Sequence, residues 1–108
     1  MGLQEGLEAE NKASFFLEKE GYTLLARNFH SKFGEIDIIA LKDNILHFCE
    51  VKFSEKYDPI LRITATKMAK IIKTINYYLL LHPNSYDYQI DAILVTAEKI
   101  EIIKNISY

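Results

Sequence analysis

Two acidic residues thirteen positions apart, Asp37 in Gly34-Glu35-Ile36-Asp37 and Glu50 in Glu50-Val51-Lys52, flank a single turn, Lys42-Asp43-Asn44, with strongly apolar segments on either side of it. Folded into a hairpin about the Asp43–Asn44 bond, those segments pair Lys42 with Ile45 and Leu41 with Leu46, and the same register sets Asp37 opposite Glu50 and Glu35 opposite Lys52. Side chains alternate across a strand, so all four land on one side of the sheet, with directly opposed Cβ atoms roughly 4.5–5.5 Å apart. Two carboxylates that close repel unless a positive group stands between them. A divalent cation such as Mg²⁺ fits, since it takes oxygen ligands from one or two carboxylates together with water and substrate phosphate.

The same face carries apolar residues. In this register Ile39 opposes Phe48, and Leu41 with Leu46 extends the patch, so one end of the face must be covered and the charged residues lie at the rim of a core, where burial strengthens electrostatics. The bland alternative is a solvated sheet face on which Glu35 and Lys52 form a weak cross-strand ion pair. Glu10 poses a related choice, because Leu3, Leu7, Glu10, Ser14 and Leu17 share a helical spacing that should face the core. Either Glu10 sits at the margin of that stripe and reaches water or a lysine, or the first helix packs over the face bearing Asp37 and Glu50 and adds a third carboxylate.

Basic residues gather elsewhere. No Asp or Glu occurs between Pro59 and Tyr86, while Arg62, Lys67, Lys70 and Lys73 do. The three lysines, spaced by three, read either as the solvated face of an amphipathic helix or as a ridge that contacts phosphates. Arg27, His30 and Lys32 form a second basic group just before the acidic hairpin; no second His or Cys stands at ligand spacing from His30, which argues against zinc. Tyr77, Tyr78, Tyr86 and Tyr88 could stack on bases, though packing explains them equally well. Neither a Gly-rich phosphate loop nor a Ser/His/Asp order is present.

The elements that must hold these residues follow from the periodicity. Leu3, Leu7, Ala13, Phe16 and Leu17 with a stop at Gly21 predict a helix over about 3–20. Strands are expected at 22–28, 35–41 and 45–53, then a helix from Ile60 to about Leu81 ended by His82-Pro83-Asn84, then strands at 89–95 and 99–103, the last at an edge. The order α-β-β-β-α-β-β indicates an α/β domain with a mixed sheet. At 108 residues, 49% hydrophobic and 26% charged, the chain fits one ordered domain. The single Cys49, in an apolar stretch, reads as a buried thiol. No stretch has the length of a membrane span or the features of a secretory signal, so the expected location is the cytoplasm, with no membrane partner. The net charge of −2 argues mildly against nucleic acid, but the local basic region qualifies it.

An acidic residue in a first helix, Gly34-Glu35-Ile36-Asp37, and Glu50-Val51-Lys52 on the following strand together resemble the active-site pattern of the PD-(D/E)xK nuclease superfamily, whose domain is the three-layer restriction-endonuclease-like fold. More closely, the chain resembles the small bacterial UPF0102 (YraN-like) family over essentially its whole length. The matching segments are Ala9-Glu10-Asn11-Lys12-Ala13, Phe16-Leu17, Gly21-Tyr22, Arg27-Asn28, Gly34 to Asp37, Phe48 to Lys52, Lys67 and Asp91. It departs at Ala9, where glycine is usual, and at His30 and Phe53-Ser54, where the family carries an arginine. The resemblance implies a Mg²⁺- or Mn²⁺-dependent endonuclease acting on DNA, on branched or damaged structures like the related Holliday-junction resolvases; a domain this small has little surface to enclose a duplex, so a homodimer is expected if it cuts both strands. By the same likeness Asp37, Glu50 and the Val51 carbonyl would bind the metal, and Lys52 would orient water or stabilise developing charge. Glu10 would hold a second ion or a metal-bound water, Glu35 would tune Lys52, and Arg27, Lys32, Lys67, Lys70 and Lys73 would grip the backbone. Two other readings stay open: a nucleic-acid-binding module of the same fold without efficient chemistry, and an adaptor that binds protein.

Overall fold

The computed structural model describes residues 3–54 and 63–106, with side chains from Gly6 onward. Helix α1 (Leu3–Lys19) is followed by strands β1 (Thr23–His30), β2 (Glu35–Lys42) and β3 (Ile45–Phe53), helix α2 (Ala65–Leu81) and strands β4 (Asp87–Val95) and β5 (Ile100–Ile103). This is the α-β-β-β-α-β-β order expected from the sequence. The predicted start of the second helix at Ile60, and Arg62, lie outside the described residues.

Local chemistry explains the boundaries. Gly21 takes the left-handed conformation (φ 91°) that ends α1: its N–H donates to Glu18 and that of Tyr22 to Leu17, closing the paired bonds of a Schellman cap. Thr64 caps α2, its hydroxyl oxygen accepting the Lys67 N–H at 3.1 Å. The tight turn between β2 and β3 has positive φ at both Asp43 (52°) and Asn44 (63°), the requirement of a two-residue hairpin turn whose twist matches the strands.

The five strands form one sheet in the order β1-β2-β3-β4-β5, antiparallel except for the parallel β3–β4 pair that α2 connects, and β5 lies at an edge as expected. Helices cover both faces. On one, Ala9, Ala13 and Leu17 of α1 pack on Ile38, Ala40, Cys49, Ile93 and Val95. On the other, Met68, Ile71, Ile75 and Tyr78 of α2 pack on Ile36, Ile39, Leu46, Phe48 and Ile90. The result is the three-layer arrangement of a restriction-endonuclease-like domain. Among the described residues no helix is long and apolar enough to cross a membrane.

Two expectations change here. The face that continues from Ile39 and Phe48 toward Glu50 is covered by α2, not by α1. Alanines at 9 and 13 allow α1 a closer approach to the sheet than Leu7 would, so the small-residue stripe faces inward and Leu7 stays half exposed. The hairpin register holds from Lys42↔Ile45 to Ile38↔Cys49 and stops there, one pair short of Asp37 and Glu50. Between the β1–β2 pairs Arg27↔Ile38 and Phe29↔Ile36, Asn28 is left-handed (φ 51°), and the alternation reverses. Ile38 belongs to the core under α1 and Ile36 to the core under α2, although they are two residues apart. A local twist of this kind, like a bulge, re-aims side chains next to it.

Candidate active site

Asp37 stands at that reversal, where β2 has left the β3 ladder, and its carboxylate takes over the ladder's work. Val51 N–H donates to Asp37 Oδ2 at 2.8 Å, and the Asp37 N–H donates to Glu50 Oε2 over a longer 3.4 Å. On the other side β3 continues unbroken along β4, with Glu50 beside Ala92 and Lys52 beside Leu94, which fixes Glu50, Val51 and Lys52 in extended backbone. One rigid edge thus holds Glu50 and Lys52, and a kinked strand brings Asp37 to them. Lys67, from the first turn of α2, completes the corner: its charge acts on both Glu50 and Lys52.

The electrostatics follow from crowding and burial. Glu50 is buried, and loss of water together with the neighbouring Asp37 charge raises its pKa from the ordinary 4.5 to about 8, against a smaller downward pull from Lys67. At neutral pH Glu50 therefore keeps a proton, which it shares with Asp37. Burial, then the adjacent Lys67, lowers the pKa of Lys52, while Glu50 and Asp37 oppose that shift. Two carboxyls and two amines converge, Asp37 disturbing Glu50 and Lys67 disturbing Lys52. Cys49 lies close by on the opposite face; burial first, then Asp91, Glu50 and Asp37, pushes its thiol up so that it stays protonated, as its apolar context predicts.

The remaining expected residues are distributed as follows. Glu10 Oε1 lies 3.7 Å from Arg27 Nη2, so the carboxylate at the margin of the α1 stripe finds an arginine on β1. Among the described residues no group of three or more His, Cys, Asp or Glu is placed to hold a metal ion, so Glu10 does not join Asp37 and Glu50 as a third ligand here. Glu35 does not face Lys52. It pairs with His30 across β1, their side chains 3.9 Å apart and solvent-exposed. Val51 enters the corner through its amide. Lys70 and Lys73 continue from Lys67 along the exposed side of α2, and Lys32 and Lys73 both hold their ammonium groups over the ring of Phe33, at 5.2 and 5.5 Å.

Sequence reasoning missed Lys67 as a member of the corner, reading it only as a backbone contact. The available signal was Thr64-Ala65-Thr66-Lys67, an N-cap spacing that fixes Lys67 in the first helical turn. It also missed the environment of Asp91, quoted only as part of a resemblance. Asp91 is fully buried on the α1 side and accepts from His47 Nδ1 at 2.7 Å, Gln89 Nε2 at 2.8 Å and the Asn105 N–H at 2.9 Å.

Comparison with known proteins places the chain in a family. The model of the uncharacterised protein family UPF0102 matches residues 9–95, a stretch that contains every residue of the corner. The chain belongs to the UPF0102 family. A UPF0102 protein of Campylobacter hominis is 54% identical over 99% of both chains, and one of Campylobacter fetus subsp. fetus is 50% identical over the whole of both. A UPF0102 protein of Nitratiruptor sp. is 47% identical over 99% of this chain and 98% of its own. These names give family membership and no activity.

Proposed function

We propose that this UPF0102 chain is a divalent-metal-dependent endonuclease that hydrolyses phosphodiester bonds in DNA at the corner formed by Asp37, Glu50, Lys52 and Lys67. One observation carries the reading: Glu50 is buried against a second carboxyl, that of Asp37, and two lysines stand beside the pair. When both carboxyls are ionised they repel, and a cation between them would relieve that repulsion. The donor set suits Mg²⁺ or Mn²⁺: each carboxyl is oriented by a backbone N–H, and ions of this class accept two protein carboxylates and fill the remaining positions with water and phosphate. When bound, such an ion would polarise the phosphate and lower the pKa of an attacking water.

The chain's own residues do the rest. Asp37 holds Val51 and Glu50 in register, so the two carboxyls are preorganised by strand backbone rather than by a loop. Lys52, whose lowered pKa eases proton exchange, orients the water, and Lys67 meets the negative charge that grows on the phosphoryl oxygens. Lys70 and Lys73, running away from the corner along α2, take the neighbouring phosphates. Glu10 and Glu35 stand apart, paired with Arg27 and His30, and the mechanism does not use them. One corner cuts one strand; cleavage of both strands of a duplex calls for a second copy of the chain.

The test is purified protein with Mg²⁺ or Mn²⁺ on a panel of branched, nicked and linear DNAs, beside Asp37→Asn and Lys52→Ala. Metal-dependent cleavage lost in both variants is the expected result. Equal cleavage by wild type and variants marks a contaminant and removes the corner as the site. Binding that falls with salt but cuts nothing selects a non-catalytic binding module, and absence of binding selects a protein adaptor.

A further inference from the structure

Beyond the corner, α2 turns an apolar surface to solvent. Tyr77 and Leu80 are exposed (40% and 78%), and with Phe33 (37%), Lys73 and Asn76 they line an open groove of ≈430 Å³. Exposed aromatic and aliphatic side chains grouped in this way usually mark a binding surface.

The groove is built rather than incidental. Phe33 sits at the tip of the turn between β1 and β2, and Ser31 ties that turn down: its Oγ accepts the Phe33 N–H at 3.0 Å and the Gly34 N–H at 3.2 Å, and lies 2.9 Å from Thr74 Oγ1 on α2. Gly34 lies so near the helix that a Cβ there would meet Lys70 Cβ at 3.6 Å and Thr74 Oγ1 at 3.7 Å. Tyr77 is backed by the ring of Phe29, centroids 6.0 Å apart. The Tyr77 ring and the turn that carries Phe33 are thus held in place before any ligand arrives, which lowers the entropic cost of binding, and the Lys32 and Lys73 ammonium groups over the Phe33 ring would turn to phosphates as a base stacks there.

Charge selects the occupant. Lys32 and Lys73 flank the Phe33 ring, Lys70 and Lys67 lead back to the corner, and α2 contains no acidic residue. A second copy docking face to face through this groove would set lysines against lysines, whereas a polyanion carrying aromatic rings meets lysines with its phosphates and Phe33 and Tyr77 with its bases. Lys73 follows Lys67 by six residues, about 9 Å along the helix axis, so a base in the groove belongs to a nucleotide near the one held at the corner.

We infer that Phe33, Tyr77 and Asn76 form a stacking subsite for an unpaired nucleobase, and that the preferred substrate therefore has a single-stranded stretch within a few nucleotides of the phosphate at the corner. A base inside a duplex is stacked on its neighbours and cannot enter the groove. This subsite rests on the nuclease reading for its meaning, but its binding can be measured without chemistry.

The test is fluorescence anisotropy in EDTA, where nothing is cut, with a labelled 12-nucleotide single strand and a duplex of the same sequence. Phe33→Ala and Tyr77→Ala should each weaken single-strand binding about ten-fold and duplex binding less than about two-fold, and Phe33→Trp should restore it. Equal weakening of both forms, or no weakening, overturns the subsite. So does a loss of binding that goes with a change in mass by light scattering, which would make the groove a contact between copies. The two readings fail separately. Aromatic-dependent single-strand binding by a protein that never cleaves with Mg²⁺ removes the nuclease and keeps the subsite; Asp37-dependent cleavage indifferent to Phe33→Ala does the reverse.

Discussion

Asp91 and Glu50 are both buried carboxyl side chains on adjacent strands, one register step apart, yet they live under opposite rules. Asp91, on the α1 side, receives three hydrogen bonds of 2.7–2.9 Å, from an imidazole, an amide and a backbone N–H that tie β3, β4 and the segment after β5 together. Glu50, on the α2 side, has among the described residues one backbone donor, the Asp37 N–H at 3.4 Å, and is otherwise set against the Asp37 carboxyl. A buried carboxylate is tolerated when its lone pairs are filled, and Asp91 is a structural tie. One set against its like is costly to ionise, and strongly perturbed carboxyls of this kind cluster at functional sites. Depth of burial alone would have ranked the two acids equally; the count of donors separates them.

The contrast is sharpest in what each acid's loss should do. Asp37→Asn, which keeps the shape of the corner but removes a charge, should lower metal-dependent cleavage by about 10³-fold, and Lys52→Ala by roughly 10²–10³-fold, with little change in thermal midpoint. Initial rates at saturating Mg²⁺, beside melting curves, check it. A variant that loses activity only because it unfolds would place Asp37 with Asp91 instead. Asp91→Ala reverses the pattern: His47, Gln89 and the Asn105 N–H lose their common acceptor inside the core, and the protein should lose about 3 kcal/mol or more of stability. Urea denaturation reads this directly. Glu50→Gln, measured in EDTA near pH 5 where Glu50 still holds its proton, should change stability by no more than about 1 kcal/mol, since an amide then replaces a neutral carboxyl.

The Glu50 side of this contrast was partly legible in the sequence and the Asp91 side was not, for physical reasons. The hairpin register could be read because two residues that tolerate positive φ, Asp43 and Asn44, sit between alternating apolar segments, and a slip by one would bury the wrong face. Its early end could not. That depends on Asn28, a left-handed residue on the neighbouring strand, and nothing in β2 or β3 announces it. Apolar alternation likewise showed that the Ile39/Phe48 face is covered but not by which helix, because α1 and α2 are both amphipathic. The place of Glu10 stayed open because the stripe was drawn through leucines rather than alanines: Ala9 and Ala13 face the sheet because they allow close approach. The partners of Asp91 were hidden for a topological reason. β3 and β4 are parallel and joined through a helix, so no short turn sets their register and His47 is 44 positions away.

A final and smaller difference between the two acids should appear as pH dependence in the metal-free protein. In the unfolded chain Glu50 ionises near 4.5, whereas in the folded state desolvation and Asp37 hold its proton until about 8. Between those values the folded protein binds more protons than the unfolded one, so stability falls as pH rises. The Glu50 contribution is complete below about 4.5 and is gone once pH has passed about 8, with a slope of at most about 1.4 kcal/mol per pH unit because a single proton is involved. Urea midpoints from pH 5 to 9 in EDTA should therefore decline, and Glu50→Gln should remove most of the decline. Addition of Mg²⁺ should stabilise the wild type most at the alkaline end, where no proton has to leave before the ion can bind, and should do nothing for Glu50→Gln. A slope that survives in Glu50→Gln would mean that the pair does not compete for a proton, and the case for a cation between Asp37 and Glu50 would lose its electrostatic basis.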